Sequence, residues 1–263
     1  MAELDMDVTT DAEDSQVLIT VVIPARNEED NIAAVIECSR QFCDRIVVID
    51  GNSTDGTRKL AAALGVEVVE QKSHGKGGAI IEALDHVTDG IIVFIDADQS
   101  HDPSDIPALV APILSGGADM VIGSRMLGGS DELFTGVREF TRLLGGHVLT
   151  LLIAKRYRYP LTDSQNGFRA IRRTVLARLP LKQSSFTIET EMCIEAIRHG
   201  YRVLEVPSHE YRRASGESNI DPLKLGFLYV AVCLRGIGRK RLAPRATVDP
   251  KVREEFKPRW RSQ

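Results

Sequence analysis

A regular alternation of short apolar runs and helical patterns over residues 17–123 constrains the fold more than any other feature of this chain. The first run, VLITVVI at residues 17–23 and ended by Pro24, is continuous, which is typical of a strand buried on both faces. Strands separated by helices favour right-handed βαβ units on a mostly parallel sheet, with helices on both sides. We predict strands at residues 17–23, 45–50, 66–70, 91–96 and 119–123, and helices at 31–40, 56–64, 77–87 and 103–114.

Polar residues gather directly after four of these strands. They are PARNE at 24–28, DGNSTDGT at 50–57, DAD at 96–98 and GSR at 123–125. Ligands of open α/β sheets bind beyond the carboxyl ends of the strands. Because four separate loops place polar groups there, the sequence predicts a ligand site at this edge.

The pair Asp96 and Asp98 is the strongest candidate for a cation site. Two carboxylates at this spacing, just past a buried strand, need a cation or a hydrogen-bond network to lie so close together. Their hard oxygen atoms suit Mg²⁺ or Mn²⁺ bound to a diphosphate. Asp50 and Asp55 on the neighbouring loop strengthen this prediction, whereas Asp102 is better explained as a helix cap.

The segment HGKGG at residues 74–78 is a second candidate. Glycines that enter a helix let backbone N–H groups approach phosphate, and Lys76 adds positive charge. A plain turn explains the glycines equally well. The segment is not a P-loop, because Glu70 stands where the first glycine would fall, and no GxGxxG follows the first strand.

Charge is distributed unevenly between the two halves. Residues 1–120 hold 7 Lys and Arg against 23 Asp and Glu, and residues 121–263 hold 26 against 14, giving net charges of −16 and +12. Guanidinium groups grip phosphate, so the second half predicts an anionic acceptor, with solvated helix charge as the alternative. The basic residues concerned are Arg125, Arg138, Arg142, Lys155, Arg156, Arg158, Arg172, Arg173, Arg212 and Arg213. Aromatic residues are 5% of the chain and no nucleic-acid module is recognisable, so no nucleic-acid partner is expected.

Two helical stretches of the second half, at residues 138–155 and 223–234, have apolar faces and basic edges. For 223–234 we favour an element that lies on a membrane surface over an ordinary core helix, and for 138–155 the two interpretations are equally well supported. No run of 18 apolar residues exists, so no segment is expected to span a bilayer. Between them we expect a polar loop running into a strand at 163–173, a helix at 186–199 and a strand at 201–206. The four cysteines form no CxxC pair, which favours thiols in a reducing cytosol.

Seven motifs follow one another along residues 17–240. They are VVIPARNEE at 21–29, VIDGNSTDGT at 48–57, GKGGAI at 75–80, DADQSHDP at 96–103, GSR at 123–125, DSQNGF at 163–168, and EVP with YRRASGES at 205–218. In these motifs the chain resembles the family 2 glycosyltransferases, and within them the dolichyl- or polyprenyl-phosphate hexosyltransferases. The resemblance implies an α/β fold of the GT-A type, a mostly parallel sheet flanked by helices, with amphipathic interfacial helices near the C-terminus.

The resemblance also assigns roles by position. It places at the nucleotide Pro24, Ala25, Asn27, Glu28, Asp50, Asp55, Lys76, Asp96 and Ala97. It gives Mg²⁺ or Mn²⁺ the ligands Asp96, Asp98 and Gln99, and the acceptor phosphate the ligands Arg125, Arg138, Arg142 and Arg213. The implied catalytic residues are Asp98, Arg125, Asp163 and Glu191, the last two lining the sugar pocket. Here Gln99 follows Asp98 directly and Ser100 takes the family's usual Gln position, which leaves the third metal ligand open.

The implied activity is transfer of a hexose from a nucleotide sugar to dolichyl or polyprenyl phosphate, inverting and metal-dependent. UDP-glucose is favoured, with GDP-mannose and UDP-GlcNAc as further donors. The enzyme is expected in the cytoplasm, peripherally bound to the cytoplasmic face of a membrane. Whether it forms a homo-oligomer is left open. A family 2 enzyme with a small anionic acceptor and a non-catalytic nucleotide-sugar-binding regulator are the alternatives. We divide the chain into an acidic, disordered segment at 1–16, a GT-A domain at 17–220 with halves at 17–125 and 126–220, an interfacial helix at 221–241 and a basic tail at 242–263.

Overall fold

The computed structural model describes residues 17–131, 137–213, 222–244 and 251–252, with the backbone alone for 137–143 and 222–227. Within these ranges the chain forms a seven-stranded sheet in the order β3-β2-β1-β4-β6-β5-β7. The strands are β1 (Ile19–Ala25), β2 (Arg45–Asp50), β3 (Glu67–Glu70), β4 (Ile91–Phe94), β5 (Met120–Ser124), β6 (Arg169–Arg172) and β7 (Val203–Pro207). The predicted acidic segment at 1–16 and most of the predicted basic tail lie outside the described residues.

Helices cover both faces of the sheet, as predicted. They are α1 (Ile32–Ser39), α2 (Thr57–Ala63), α3 (Gly75–His86), α4 (Ile106–Leu114), α5 (Arg125–Gly128), α6 (Val137–Tyr157), α7 (Arg173–Leu176), α8 (Ile188–Arg198) and α9 (Pro222–Gly238). Val22 of β1 packs in a core with α3, α6, α8 and α9, and its neighbours Val21 and Ile23 pack in a second core with α1, α2 and α4. The continuous apolar run of β1 is therefore buried on both faces.

The strand β1 extends two residues beyond its predicted end and includes Pro24. Residues of a strand point their N–H and C=O groups alternately to the two neighbouring strands. Ala25 accepts from the Gly51 N–H on the β2 side, whereas Val22 accepts from the Ile95 N–H on the β4 side. Pro24 faces the β4 side, past the last β1–β4 pair at Val22, so its missing N–H breaks no ladder hydrogen bond.

One strand of the sheet runs against the others. β6 lies between β4 and β5 and is antiparallel to both, with Ala170 opposite Val93 on one side and Val121 on the other. An antiparallel strand begins where its parallel neighbours end. The loop before β6, which carries the DSQNGF motif, therefore reaches the same edge as the loops after β4 and β5. The predicted halves at 17–125 and 126–220 share one sheet.

Helices α6 and α9 pack against each other and contribute to the same core as Val22 of β1. The Tyr157 hydroxyl near the end of α6 donates to the Gly236 carbonyl of α9. No helix within the described residues is long and apolar enough to cross a membrane.

Candidate active site

The loops that follow β1 and β2 are joined by hydrogen bonds at the carboxyl edge of the sheet. The Asn27 N–H donates to Ser53 Oγ (3.0 Å), and Asn27 Oδ1 accepts from the Thr54 N–H (2.8 Å). Asn27 has a φ of +54°, a region that Asn adopts more readily than most residues. Asp55, predicted at the nucleotide, accepts from the Glu29 N–H (3.2 Å) and so holds the two loops together.

Asp50 ends β2 and is fully buried at this edge, beside Pro24 and Ala25 at the end of β1. Its Oδ2 accepts from the Ser53 N–H (3.1 Å) and from Nε and Nη2 of Arg58 (3.1 and 2.8 Å). Its Oδ1 has no hydrogen-bond partner among the residues that the structure describes. A buried acceptor without a donor is unfavourable, so Oδ1 is suited to accept from a ligand.

The two carboxylates of the DAD motif are each paired with a cationic side chain. Lys76 Nζ at the start of α3 lies 2.5 Å from Asp96 Oδ1. Arg213, after β7, donates to Asp98 Oδ2 from Nε (3.1 Å) and Nη2 (2.8 Å). Ala97 is buried between the two carboxylates. The site thus joins the ends of β4, α3 and β7, which lie far apart in the sequence.

Glu28 extends this cluster toward the loop after β1. Its Oε1 lies 3.7 Å from Arg213 Nη1, and its Oε2 accepts from the Asn31 amide (2.8 Å). Burial raises the pKa of Glu28. Arg213, predicted to hold the acceptor phosphate, is therefore paired here with carboxylates that were predicted at the donor.

Two glycines of HGKGG, Gly75 and Gly77, lie against protein backbone, and the N–H of Gly77 binds a carbonyl where the prediction had it face phosphate. The Gly77 N–H donates to the Ser184 carbonyl (3.0 Å). A Cβ atom at Gly75 would lie 2.2 Å from the Ser184 oxygen, and one at Gly77 would lie 2.2 Å from the Gln183 oxygen. Glycine is required because residues 183–184 pass directly over the start of α3. Lys76 is the member of this segment that reaches the DAD motif.

Arg125 does not present a free guanidinium group, in contrast to its predicted role at the acceptor phosphate. Its Nε and Nη2 donate to the two oxygens of Asp163 (2.7 and 3.0 Å), and its Nη1 donates to Glu210 (3.2 Å). Burial alone would raise the pKa of Asp163, but the charge of Arg125 lowers it below its usual value. Glu205 accepts from the N–H groups of Thr162 and Asp163 at 2.6–2.9 Å and fixes the start of this loop.

Two other arginines of the second half, Arg173 and Arg156, donate hydrogen bonds to carbonyl groups near helix C-termini. Arg173 donates to the carbonyls of Val87 (2.9 Å) and Leu84 (3.1 Å) at the end of α3, and Arg156 donates to Ile237 (2.7 Å) in α9. Such donors satisfy the carbonyls that a helix C-terminus leaves without partners. The predicted basic set is thus dispersed over the molecule. The side chains of Arg138 and Arg142 lie outside the described residues.

The outward face of α6 is apolar. Its exposed large side chains are Leu144, Val148, Leu151 and Leu152, each 45–50% exposed. Their spacing places them in one stripe of the helix, while Thr150, Ile153 and Tyr157 are buried on the opposite side. On α9, Leu228, Val230 and Leu234 are also exposed. The adjacent helices therefore present apolar side chains to the outside, with Lys155 and Arg235 among the exposed residues beside them.

The sequence signature of glycosyl transferase family 2 matches residues 20–179, more than half of the chain, and spans the loops after β1, β2, β4 and β5. The chain belongs to glycosyl transferase family 2.

This glycosyltransferase is 33% identical to glycosyltransferase AglJ of Haloferax volcanii over 79% of this chain and 68% of that protein. It is 30% identical to the low-salt glycan biosynthesis hexosyltransferase Agl6 of the same organism, over 82% of this chain and 53% of that protein. Glucosyl-3-phosphoglycerate synthase from Mycobacterium tuberculosis, solved with Mn²⁺, UDP and glucosyl-3-phosphoglycerate, superimposes with a TM-score of 0.69 and 27% identity, covering 84% of this chain and 80% of that one. The predicted GT-A fold is confirmed.

The carboxylate oxygens of Asp96 and Asp98 suit a divalent cation that also binds a diphosphate. Burial alone would raise the pKa of Asp98, but hydrogen bonds from Ser100 and the charge of Arg213 lower it, so the carboxylate is ionised. Gln99 has a φ of +62° and its amide nitrogen donates to Asn31 (3.0 Å). Among the described residues no three His, Cys, Asp or Glu side chains form a metal cluster. A cation held by the two aspartates of this motif would therefore need oxygen ligands from a substrate or water.

Two acidic residues at the start of α8, Glu189 and Glu191, have different partners, and only Glu191 was predicted at the site. Glu191, predicted in the sugar pocket, accepts from the N–H groups of Lys182 (2.8 Å) and Gln183 (2.9 Å) and anchors the segment over α3. Glu189, which was not predicted, lies 2.8 Å from Lys76 Nζ. In the sequence, Glu189 is an acidic residue in the first turn of a helix, a position that the helix dipole already favours. No local signal distinguishes it from a capping residue.

Proposed function

We propose that this enzyme transfers a hexose from a nucleotide sugar, with UDP-glucose favoured, to a polyprenyl or dolichyl phosphate at the cytoplasmic face of a membrane. Transfer is one inverting displacement that gives a β-linked lipid phosphosugar. The outward apolar face of α6, beside α9, is the observation that carries the acceptor assignment. A relative described as a glycan-biosynthesis hexosyltransferase and a similar structure solved with Mn²⁺ and UDP-glucose support the assignment of donor and reaction.

The apolar face is explained by contact with lipid. A water-exposed helix normally turns polar residues outward, whereas four exposed side chains in the described part of α6, at residues 144–152, are Leu or Val. Lys155 and Arg235 lie near the ends of this surface, where they would meet anionic headgroups. An enzyme that binds the membrane in this way can take a phosphate from the bilayer surface while the lipid tail stays in the membrane.

On the donor side, Asp50 Oδ1, which has no partner among the residues that the structure describes, would accept from an N–H of the nucleobase. Asp96 and Asp98 would hold Mg²⁺ or Mn²⁺ together with the donor diphosphate. The bound cation would stabilise negative charge on the departing nucleoside diphosphate. Lys76, beside Asp96, adds a further positive charge at the same place.

The acceptor phosphate requires little help from a base. Its second pKa is about 6, so it is largely a dianion at neutral pH and can attack the anomeric carbon directly. Arg213 would bind the acceptor phosphate once a cation has replaced its guanidinium group beside Asp98. Arg125 would act through Asp163, whose position it fixes. Alignment of the two substrates then supplies most of the catalysis.

A small anionic acceptor is the second candidate. The observation in its favour is the likeness to glucosyl-3-phosphoglycerate synthase, which has been solved with UDP-glucose and phosphoglyceric acid. Both candidates share the donor site and differ in whether the apolar face of α6 takes part.

The donor assignment is tested by offering a panel of radiolabelled sugar nucleotides with Mn²⁺ and either dolichyl phosphate or phosphoglycerate, followed by organic extraction. We expect label in the organic phase with dolichyl phosphate. Asp98→Asn should reduce transfer at least about 100-fold. Asp102→Asn is the control, because Asp102 caps a helical turn through the Ser104 N–H (2.8 Å) outside the site. Unchanged transfer by Asp98→Asn would contradict the site.

The acceptor assignment is tested by co-sedimentation with anionic liposomes. We expect binding by the wild-type protein and a loss of at least about tenfold in Leu151→Glu, because a charged side chain resists contact with lipid. Leu114→Glu is the matched control, since Leu114 is also 50% exposed but lies at the end of α4. Equal loss in both variants, or no binding at all, would favour the small acceptor.

A further inference from the structure

Lys76 lies between two carboxylates that come from different parts of the chain. Its Nζ is 2.5 Å from Asp96 Oδ1 and 2.8 Å from Glu189 Oε1. The side chains of Lys76 and Glu189 are 12% and 2% exposed, so water screens neither strongly. Phe186 covers Lys76, with its ring centre 5.7 Å from Nζ. The proposed donor site explains Asp96 but gives no role to Glu189.

The surroundings of this ion pair hold it in place. A Cβ atom at Gly167 would lie 2.6 Å from Lys76 Nζ and 2.8 Å from Asp96 Oδ2, so the backbone of the DSQNGF loop covers the pair directly. Arg169, fully buried, donates to the Glu189 carbonyl (2.9 Å) and fixes the first turn of α8. Glu189 therefore stays beside Lys76 whether or not Asp96 remains paired with Lys76.

One oxygen of Glu189 remains unused. Oε2 is buried and has no hydrogen-bond partner within the described parts of the chain. An ammonium group has three N–H donors, so Lys76 can bind both oxygens of Glu189 when it leaves Asp96. A divalent cation on Asp96 would repel Lys76 at this short distance, and a buried ammonium group without a carboxylate is strongly unfavourable.

We propose that Glu189 is a positioning residue that takes Lys76 from Asp96 when the donor's divalent cation binds, and keeps Lys76 beside the departing diphosphate. This inference rests on the proposed function, since it requires a cation at Asp96 and Asp98. It makes two predictions about cation binding. Without Glu189, Lys76 stays on Asp96 and competes with the cation. Without Lys76, that competition disappears and Glu189 no longer matters.

The test is a cycle of Glu189→Gln, Lys76→Met and the double variant, with Mn²⁺ affinity measured by isothermal titration calorimetry in the presence of UDP. We expect Glu189→Gln to weaken Mn²⁺ binding about tenfold, and Lys76→Met and the double variant to bind Mn²⁺ at least as tightly as the wild type. Recovery in the double variant is the decisive result, because damage to α8 would persist in it. Glu195→Gln is the matched control, a buried carboxylate on the same helix that pairs with Arg198 and Arg239.

Transfer kinetics give a second readout. Glu189→Gln should lower kcat at saturating Mn²⁺ more than it changes the acceptor KM, because Lys76, displaced from Asp96 by the cation, then has no carboxylate that holds it beside the departing diphosphate. Equal Mn²⁺ affinity in wild type and Glu189→Gln, or a double variant as weak as Glu189→Gln, overturns the inference while leaving the proposed function standing. A wild-type protein that binds no Mn²⁺ with UDP overturns both. If Glu189→Gln does not fold, looser Mn²⁺ binding by Lys76→Met overturns the inference.

Discussion

Replacing Gly77 by Ala should destabilise the protein, although Ala is the better helix former. Gly77 lies in the first turn of α3, and its added Cβ would be 2.2 Å from the Gln183 oxygen and 2.9 Å from the Gln183 carbonyl carbon. Both atoms are backbone, so they cannot rotate away as a side-chain tip would. Residues 183–184 would have to retreat by roughly 1 Å to reach ordinary contact, as in overpacked cores.

The magnitude follows from three contributions. Overpacking costs about 1–3 kcal/mol, and losing the hydrogen bond from the Gly77 N–H to the Ser184 carbonyl (3.0 Å) costs about 1 kcal/mol. The helix propensity of Ala returns about 0.5–1 kcal/mol. We therefore expect a fall of about 1–3.5 kcal/mol in the free energy of unfolding.

Gly145→Ala provides the control for this prediction. Gly145 lies inside α6 and a Cβ there meets nothing within 4 Å, so only the propensity gain of about 0.5–1 kcal/mol applies. Urea unfolding at neutral pH measures both variants, and the same chemical change should shift stability in opposite directions. The donor KM should rise in Gly77→Ala alone, since the displaced segment also carries Phe186 over Lys76. A Gly77→Ala protein as stable as the wild type would refute the close approach of the two segments.

Two further predictions concern buried groups. Burial raises the pKa of Glu205 from 4.5 to about 7. Between these two pH values the folded state therefore keeps a proton that the unfolded state loses. As the pH rises from 4.5 to 7, the free energy of unfolding should fall by about 3 kcal/mol because of this group. Glu205→Gln should flatten that fall in urea titrations at a series of pH values, and parallel curves would contradict it. Tyr157→Phe removes the hydroxyl that donates to Gly236 and should cost about 1 kcal/mol in the same assay, with unchanged stability speaking against the α6–α9 contact.

The parallel part of the fold could be predicted because it is encoded locally. The period of apolar residues placed β2 at residues 45–50, where the structure has it, and placed the helices within a few residues of their ends. The direction of β6 could not be predicted in this way. Its residues Arg169–Arg172 form a strand in either orientation, and the choice depends on where the chain enters the sheet.

The site was predicted in part for a similar reason. Asp50, Asp96 and Asp98 follow strands, and the topology rule brings such residues to one edge. The use of each arginine could not be predicted, because a guanidinium group that binds phosphate and one that binds a carboxylate look alike in the sequence. Arg125 is bound to Asp163 and Arg173 closes a helix, and both partners are distant along the chain. Glu189 depends likewise on a partner more than one hundred residues away.

The position of β6 also determines when the site can form. Among the described strands, β5 pairs only with β6 and β7, so a fragment that ends at residue 125 leaves β4 and β5 with open edges, which tend to pair with other chains. Pairings between such distant segments close slowly. During synthesis on the ribosome, the edge that carries the aspartates is therefore incomplete until the chain has passed residue 207. A nascent chain stalled before that point would hold Asp50, Lys76, Asp96 and Asp98 but would lack Arg213, the cationic partner of Asp98.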